Sequence, residues 1–268
     1  MTDMIDPVTS SPVTSSPATS SPATSSPVTS SPVTSSPIAP GPVTASQANV
    51  VDFADARTRM VDSQVRPNKV TDPRILAAMR RIKRERFLPP ALSPRAYCDE
   101  DVPLGNGRVL TEPMVIARLI QLAAPLAGDR TLVVAAGSGY GAAVLAACGA
   151  RVFALEEDLA LLGLARQALA SEAPGVTLVS GRLALGWAEY APYDVILIEG
   201  AVRDIPPAIA SQLRPQTGRL VTVQRMEGSY GQAVLAEFGP AGLRAQPMFD
   251  CATPLLSALL PAPSFMFR

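Results

Sequence analysis

The chain has 268 residues, 47% of them apolar, and its 23 lysines and arginines balance 23 aspartates and glutamates. That balance withholds the positive field that nucleic acid or an anionic membrane would need, and the absence of histidine excludes Ser-His-Asp and Cys-His catalysis as well as any histidine-ligated metal. Cys98, Cys148 and Cys251 are odd in number and lack CxxC spacing, so neither a disulfide framework nor a zinc site is expected.

From Pro7 to Pro37 a five-residue unit, Pro-Val/Ala-Thr-Ser-Ser, repeats almost without charge. Such a segment cannot bury enough apolar surface to offset its conformational entropy, and residues 1–50 are expected to form a disordered tail. No basic-then-apolar leader is present, and no apolar run reaches the ~18–20 residues of a membrane span, so a cytoplasmic protein is expected. Ordered sequence begins near Val51. The spacing of Phe53, Ala56, Met60 and Val65 predicts a helix over 52–65, and Asp72-Pro73 opens a second over 74–82. Residues 51–109 thus read as a small helical N-terminal subdomain. Arg80, Arg81, Lys83, Arg84 and Arg86 fall at a helix C-terminal end, where cations are favoured without any nucleic-acid partner. Asp99-Glu100-Asp101 reads as a solvated loop rather than a metal site, because three consecutive carboxylates cannot all face one ion. Gly105-Asn106-Gly107 is a loop, and Pro113 to Leu122 forms a helix.

The pattern then becomes α/β. Apolar runs at 132–135, 152–155, 176–179, 195–198 and 220–223 alternate with helical stretches at 141–148 and 159–169. Strands that are apolar throughout and separated by helices indicate a parallel sheet covered on both faces, here one doubly wound domain over 110–268. Its first strand runs through Val134-Ala135-Ala136 into Gly137-Ser138-Gly139 and then a helix. That arrangement lets backbone approach a nucleotide-like ligand and offers it free N–H groups. The next strand ends in Leu155-Glu156-Glu157, where the Glu156 carboxylate could accept both hydroxyls of a ribose. The same turn fits Gly-x-Gly-x-x-Ala through Ala142, so the loop alone leaves a nicotinamide-dependent oxidoreductase open.

Reading outward from this turn, residues 55–225 resemble the protein-L-isoaspartate O-methyltransferase family. Arg84-Glu85-Arg86-Phe87-Leu88-Pro89 is similar to its Arg-x-x-Phe-Val-Pro segment, and Ala96 to Pro113 resembles its Ala-Tyr-x-Asp-x-Pro-Leu-Pro-Ile-Gly-x-Gly-Gln-Thr-Ile-Ser-Gln-Pro signature without a gap. Gly137-Ser138-Gly139-Tyr140, Ala191-Pro192-Tyr193-Asp194 and Gln212-Leu213-Arg214-Pro215 follow in the family's order. The resemblance implies a Rossmann-like class I methyltransferase fold binding S-adenosylmethionine, with Ala135, Gly137, Ser138, Gly139, Glu156 and Arg182 at the cofactor. It also implies that Thr111, at the signature's serine, lies beside the methyl group and the acceptor carboxylate. Thr111 could instead cap the helix starting at Glu112-Pro113.

Several positions depart from the family pattern. Val133 replaces an acidic residue, Ala135 and Ala136 replace Gly and Thr, Arg182 stands where an Asp contacts adenine, and Glu199-Gly200-Ala201-Val202 puts a carboxylate among small residues after the fourth strand. The implied activity is carboxyl methylation of L-isoaspartyl residues in damaged proteins, whose esters collapse to succinimide and so allow repair. A carboxylate is already ionised at neutral pH and needs no general base, which suits a chain without histidine. The implied partners are isoaspartyl proteins or peptides, with no nucleic acid, membrane or metal, and a monomer is expected. The alternatives are a methyltransferase-like protein with another acceptor, or one that binds without catalysis.

Overall fold

In the computed structural model, residues 52–226 and 228–260 are described; the N-terminal repeat and the Phe265-Met266-Phe267 segment lie outside them. Helix α1 (Phe53–Arg59) starts where the Asp52 carboxylate accepts from the backbone of Ala54 and Asp55. The predicted long helix does not continue as α: Met60–Val65 widens into a π turn that buries Met60, Val61 and Val65. Helix α2 (Pro73–Arg81) has Asp72 as its cap and proline in its first turn.

The loop expected at Gly105-Asn106-Gly107 is the tip of a two-stranded antiparallel hairpin, β1 (Val102–Gly105) and β2 (Arg108–Leu110). All three tip residues have positive φ. Four- and three-residue strands, one containing Pro103, are too short for alternation to register in sequence. Helix α3 (Pro113–Ala123) follows.

The main sheet comprises β3 (Arg130–Val134), β4 (Arg151–Glu156), β5 (Thr177–Ser180), β6 (Val195–Val202), β7 (Arg219–Gln224), β8 (Gln232–Gly239) and β9 (Gly242–Asp250), in the order β5-β4-β3-β6-β7-β8-β9. The first five pair in parallel, whereas β8 and β9 add an antiparallel edge hairpin. That hairpin escapes the periodicity reading because β9 is exposed over most of its length and holds Pro247. Helices α4 (Tyr140–Ala147) and α5 (Leu159–Glu172) link the first strands, and the single-turn α6 (Pro207–Ala210) precedes β7.

Alternate residues of the central strands feed two apolar layers. Val133, Val195 and Leu197 pack with α3, α4 and the N-terminal helical residues Met60, Ile75 and Met79, while Leu132, Val134, Ile196 and Ile198 pack on the other face with Tyr193, Ile209 and Leu256. This is the two-sided burial the uninterrupted apolar runs require. The chain order reverses direction between β3 and β6, so the crevice at their carboxyl ends is where a doubly wound sheet places its ligand.

Candidate cofactor and acceptor site

At that crevice β3 and β6 pair with Val134 opposite Ile198, which sets Glu199 of β6 beside Ala135 at the end of β3. Ala135 has φ +60, a left-handed conformation that costs an L residue roughly 1 kcal/mol or more and that glycine adopts freely. The backbone there has the shape glycine favours, with an alanine in place. Gly137 (φ +58) and Gly139 (φ +94) complete the turn. A methyl group on Gly137 would find no atom closer than 3.8 Å, which leaves its outer face as a cradle. On Gly139 it would press on Leu169 of α5 at 3.0 Å, so the second glycine serves close packing. The buried Ser138 hydroxyl has no hydrogen-bond partner among the described residues.

Glu156, at the end of β4, is fully buried. Its Oε2 accepts from the Gly137 N–H at 2.8 Å, and its Oε1 from the N–H groups of Glu157 at 2.9 Å and Asp158 at 3.1 Å. Arg108 of β2 then donates to both oxygens, Nη1 to Oε1 at 3.0 Å and Nη2 to Oε2 at 2.9 Å, and Nη2 also reaches the Ala135 carbonyl at 2.6 Å. Beside this pair lies a cavity of about 200 Å³ bounded by Asn106, Arg108, Glu157, Asp158, Leu183 and Leu256. Arg182 is exposed and does not line it; the neighbouring Leu183 does, and the Leu183 N–H is bound by the Glu157 carboxylate at 3.0 Å.

The acceptor flank is assembled from the chain between 84 and 111 and from β6. Thr111 is buried and does not cap α3: Glu112 occupies the cap position without a side-chain bond, and the Thr111 hydroxyl has no partner among the described residues. Its carbonyl accepts from Arg84 Nη2 at 2.6 Å. Arg84 therefore does not belong to a solvated basic run. It is fully buried, donates Nε to the Ala96 carbonyl at 2.7 Å, and lies over the Tyr140 ring at 4.6 Å from its centroid. Burial lowers its pKa, opposed chiefly by Tyr140 and Glu199. Asp101 likewise leaves the expected solvated loop and accepts from the Glu112 N–H at 2.7 Å; burial raises its pKa. Asp99 and Glu100 are exposed, as that reading expects.

Glu199 lies within β6 rather than after it, because the strand runs on through a register shift to Val202. Its Oε2 abuts Gly141, where a Cβ would stand 2.5 Å away, and it has no hydrogen-bond partner among the described residues. Burial pushes its carboxyl up to about 8, with Arg108 and Arg84 opposing and Glu156 and Asp101 reinforcing the rise.

With this geometry in hand, comparison with known proteins is specific. The sequence model of protein-L-isoaspartate(D-aspartate) O-methyltransferase matches residues 56–235. The chain belongs to this family. A protein-L-isoaspartate O-methyltransferase of Methylorubrum extorquens is 45% identical over 172 residues, covering 64% of this chain and 75% of the relative. One from Methanoregula boonei is 40% identical over 169 residues, covering 63% and 77%. A structure from Plasmodium falciparum carrying the same family name and solved with S-adenosyl-L-homocysteine overlays with a TM-score of 0.63 at 16% identity, covering 75% of this chain and 98% of that one. At that identity the overlay supports the fold.

Within the family frame, the structure puts Ala135, Gly137, Ser138 and Gly139 on one turn, binds Glu156 at the end of β4 to it, and leaves the exposed Arg182 side chain off the lining of the adjacent cavity. Sequence reading missed Arg84 and Arg108 as parts of the site. Arg108 stands at the glutamine of the Gly-Gln-Thr-Ile-Ser signature, and that exchange of a neutral amide for a cation was the available signal.

Proposed function

We propose that the protein transfers the methyl group of S-adenosylmethionine to a carboxylate, with L-isoaspartyl residues of proteins or peptides as the acceptor. The observation that carries this reading is the unpartnered, buried hydroxyl of Thr111, which directly follows β2 and whose carbonyl is held by Arg84. A buried hydroxyl without a protein partner is destabilising unless water or a ligand completes it.

The residues fit the cofactor. The open face of Gly137, the unpartnered Ser138 hydroxyl and the Glu156 carboxylate would hold it. When bound, S-adenosylmethionine supplies a methyl group on a sulfonium, which is already electrophilic. The chain's part is then alignment. Thr111 orients the acceptor oxygen, while the buried Arg84 and Tyr140 exclude water around it; such positioning can supply on the order of 7 kcal/mol. No general base is required, because a carboxylate nucleophile is ionised at neutral pH.

Glu199 favours a second reading. A buried carboxyl with a free oxygen within β6 could take the proton of a hydroxyl or amine acceptor once it is ionised, which its value of about 8 confines to alkaline pH. The two readings separate in an assay of labelled methyl transfer to an isoaspartyl peptide and its aspartyl twin. Selective labelling of the isoaspartyl form supports carboxyl transfer; labelling of neither, with S-adenosylhomocysteine bound, shifts the acceptor to the second class.

A further inference from the structure

Glu156 is the carboxylate best placed for a ribose, yet it already accepts five hydrogen bonds. A carboxylate offers about four lone-pair sites, so no capacity is left for two ribose hydroxyls. Three of the five donors are backbone N–H groups of the loops that shape the site, at Gly137, Glu157 and Asp158. Only the two from Arg108 come from a side chain that can rotate away.

Arg108 does not act alone. It sits on β2, and at the tip of the same hairpin the Asn106 amide donates to Asp158 Oδ2 at 2.9 Å, a bond that also holds the Asp158 carboxyl below its usual value. Asp158 Oδ1 meanwhile caps α5 through the N–H groups of Ala160 and Leu161. The hairpin is thereby tied to the exits of both β3 and β4, at Ala135, Glu156 and Asp158. Arg108 Nη2 also lies across the open side of Gly137, 3.8 Å from where a Cβ would stand. The cavity left beside it is about 200 Å³, below the roughly 300–1,000 Å³ usual for small-molecule sites.

We infer that Arg108 is a self-capping residue that sets cofactor affinity: the β1–β2 hairpin clasps the nucleotide turn through Arg108 on Glu156, and the cofactor binds by exchanging its ribose hydroxyls for that guanidinium. The inference rests on the proposed S-adenosylmethionine reading. No bond forms or breaks covalently; one set of hydrogen bonds replaces another. The bound state is then reached only from the fraction of molecules with the clasp open, and the apparent affinity falls by that fraction. The exchange also links the cofactor to Thr111, which follows β2 directly.

The test is calorimetric titration of the full chain with S-adenosylhomocysteine, which lacks the sulfonium charge, for wild type, Arg108→Met and Asn106→Ala, alongside the melting temperature of each without ligand. Arg108→Met should bind about tenfold more tightly than wild type while melting lower in the absence of ligand. Asn106→Ala should show the same pair of changes at smaller size, and carries the test if the Met variant does not fold. The gain should persist at high salt, since it reflects a removed competitor rather than a removed charge. Equal or weaker binding by Arg108→Met, with wild type binding, overturns the clasp and leaves the cofactor reading standing. No binding by any of the three overturns the cofactor reading and the clasp with it.

Discussion

The carboxylates of the crevice's two flanks, Glu156 and Glu199, are satisfied in opposite ways. On the cofactor flank every oxygen of Glu156 is occupied by the protein's own donors, and the hairpin is drawn in over the turn. On the opposite flank the Thr111 hydroxyl and Glu199 Oε2 are buried without hydrogen-bond partners among the described residues. A saturated site must give something up to bind, whereas an unsaturated one gains by binding. The stability of the free protein should therefore depend on the acceptor flank in a way that reveals which of its groups are structural and which are kept for a ligand.

Arg84 should give the largest effect. Replacing it with Met strips the Ala96 and Thr111 carbonyls of their donors, and the variant should lose about 3 kcal/mol in urea unfolding. A loss below 1 kcal/mol, taken as ~1 on the usual scale for a single neutral bond, would show that water already serves those carbonyls.

Glu199 comes next, through pH. Its carboxyl is pushed up to about 8 in the folded protein against an ordinary value of 4.5, so between those values the folded chain holds a proton the unfolded chain has released. Stability therefore falls as pH rises through this window, and the loss is complete once pH passes the folded value. Glu199→Gln should remove that slope, leaving the variant more stable than wild type by up to roughly 5 kcal/mol at pH ~8.5 and within about 1 kcal/mol at pH ~5. Parallel stability profiles for the two proteins would place the Glu199 carboxyl in contact with water.

Thr111→Val tests the other half of the comparison. Its hydroxyl has no partner to lose, so stability should stay within about 0.5 kcal/mol of wild type while turnover falls at least ~10-fold and S-adenosylhomocysteine affinity is unchanged. The smallest effect belongs to the turn itself: Ala135→Gly relieves the left-handed alanine and should raise stability by about 1 kcal/mol.

Much of this was legible in the sequence where burial on both faces wrote itself as uninterrupted apolar runs. Each of the five parallel strands lies within a few residues of the run that predicted it, and the glycine turn and Glu156 fall together as their spacing implies. Elements whose signal lies in pairing rather than periodicity were not legible: the short β1–β2 hairpin and the exposed β8–β9 edge. The site's electrostatics escaped for a related reason. Arg84 sits in a run of cations that continues past the end of α2, and nothing in that run distinguishes the one whose guanidinium turns inward over the Tyr140 ring. Arg108 was visible only as an exchange within a motif, and its meaning needed the distance to Glu156.

The most direct test of the account is the chemical nature of the product. After incubation with methyl-labelled S-adenosylmethionine and an isoaspartyl peptide, the label should be released as methanol by mild alkali, as a carboxyl methyl ester requires, and Thr111→Val should reduce that released label. Label that enters the peptide and resists alkali would place the methyl group on nitrogen or an ether oxygen, contradict carboxyl transfer, and turn attention to Glu199 as the base.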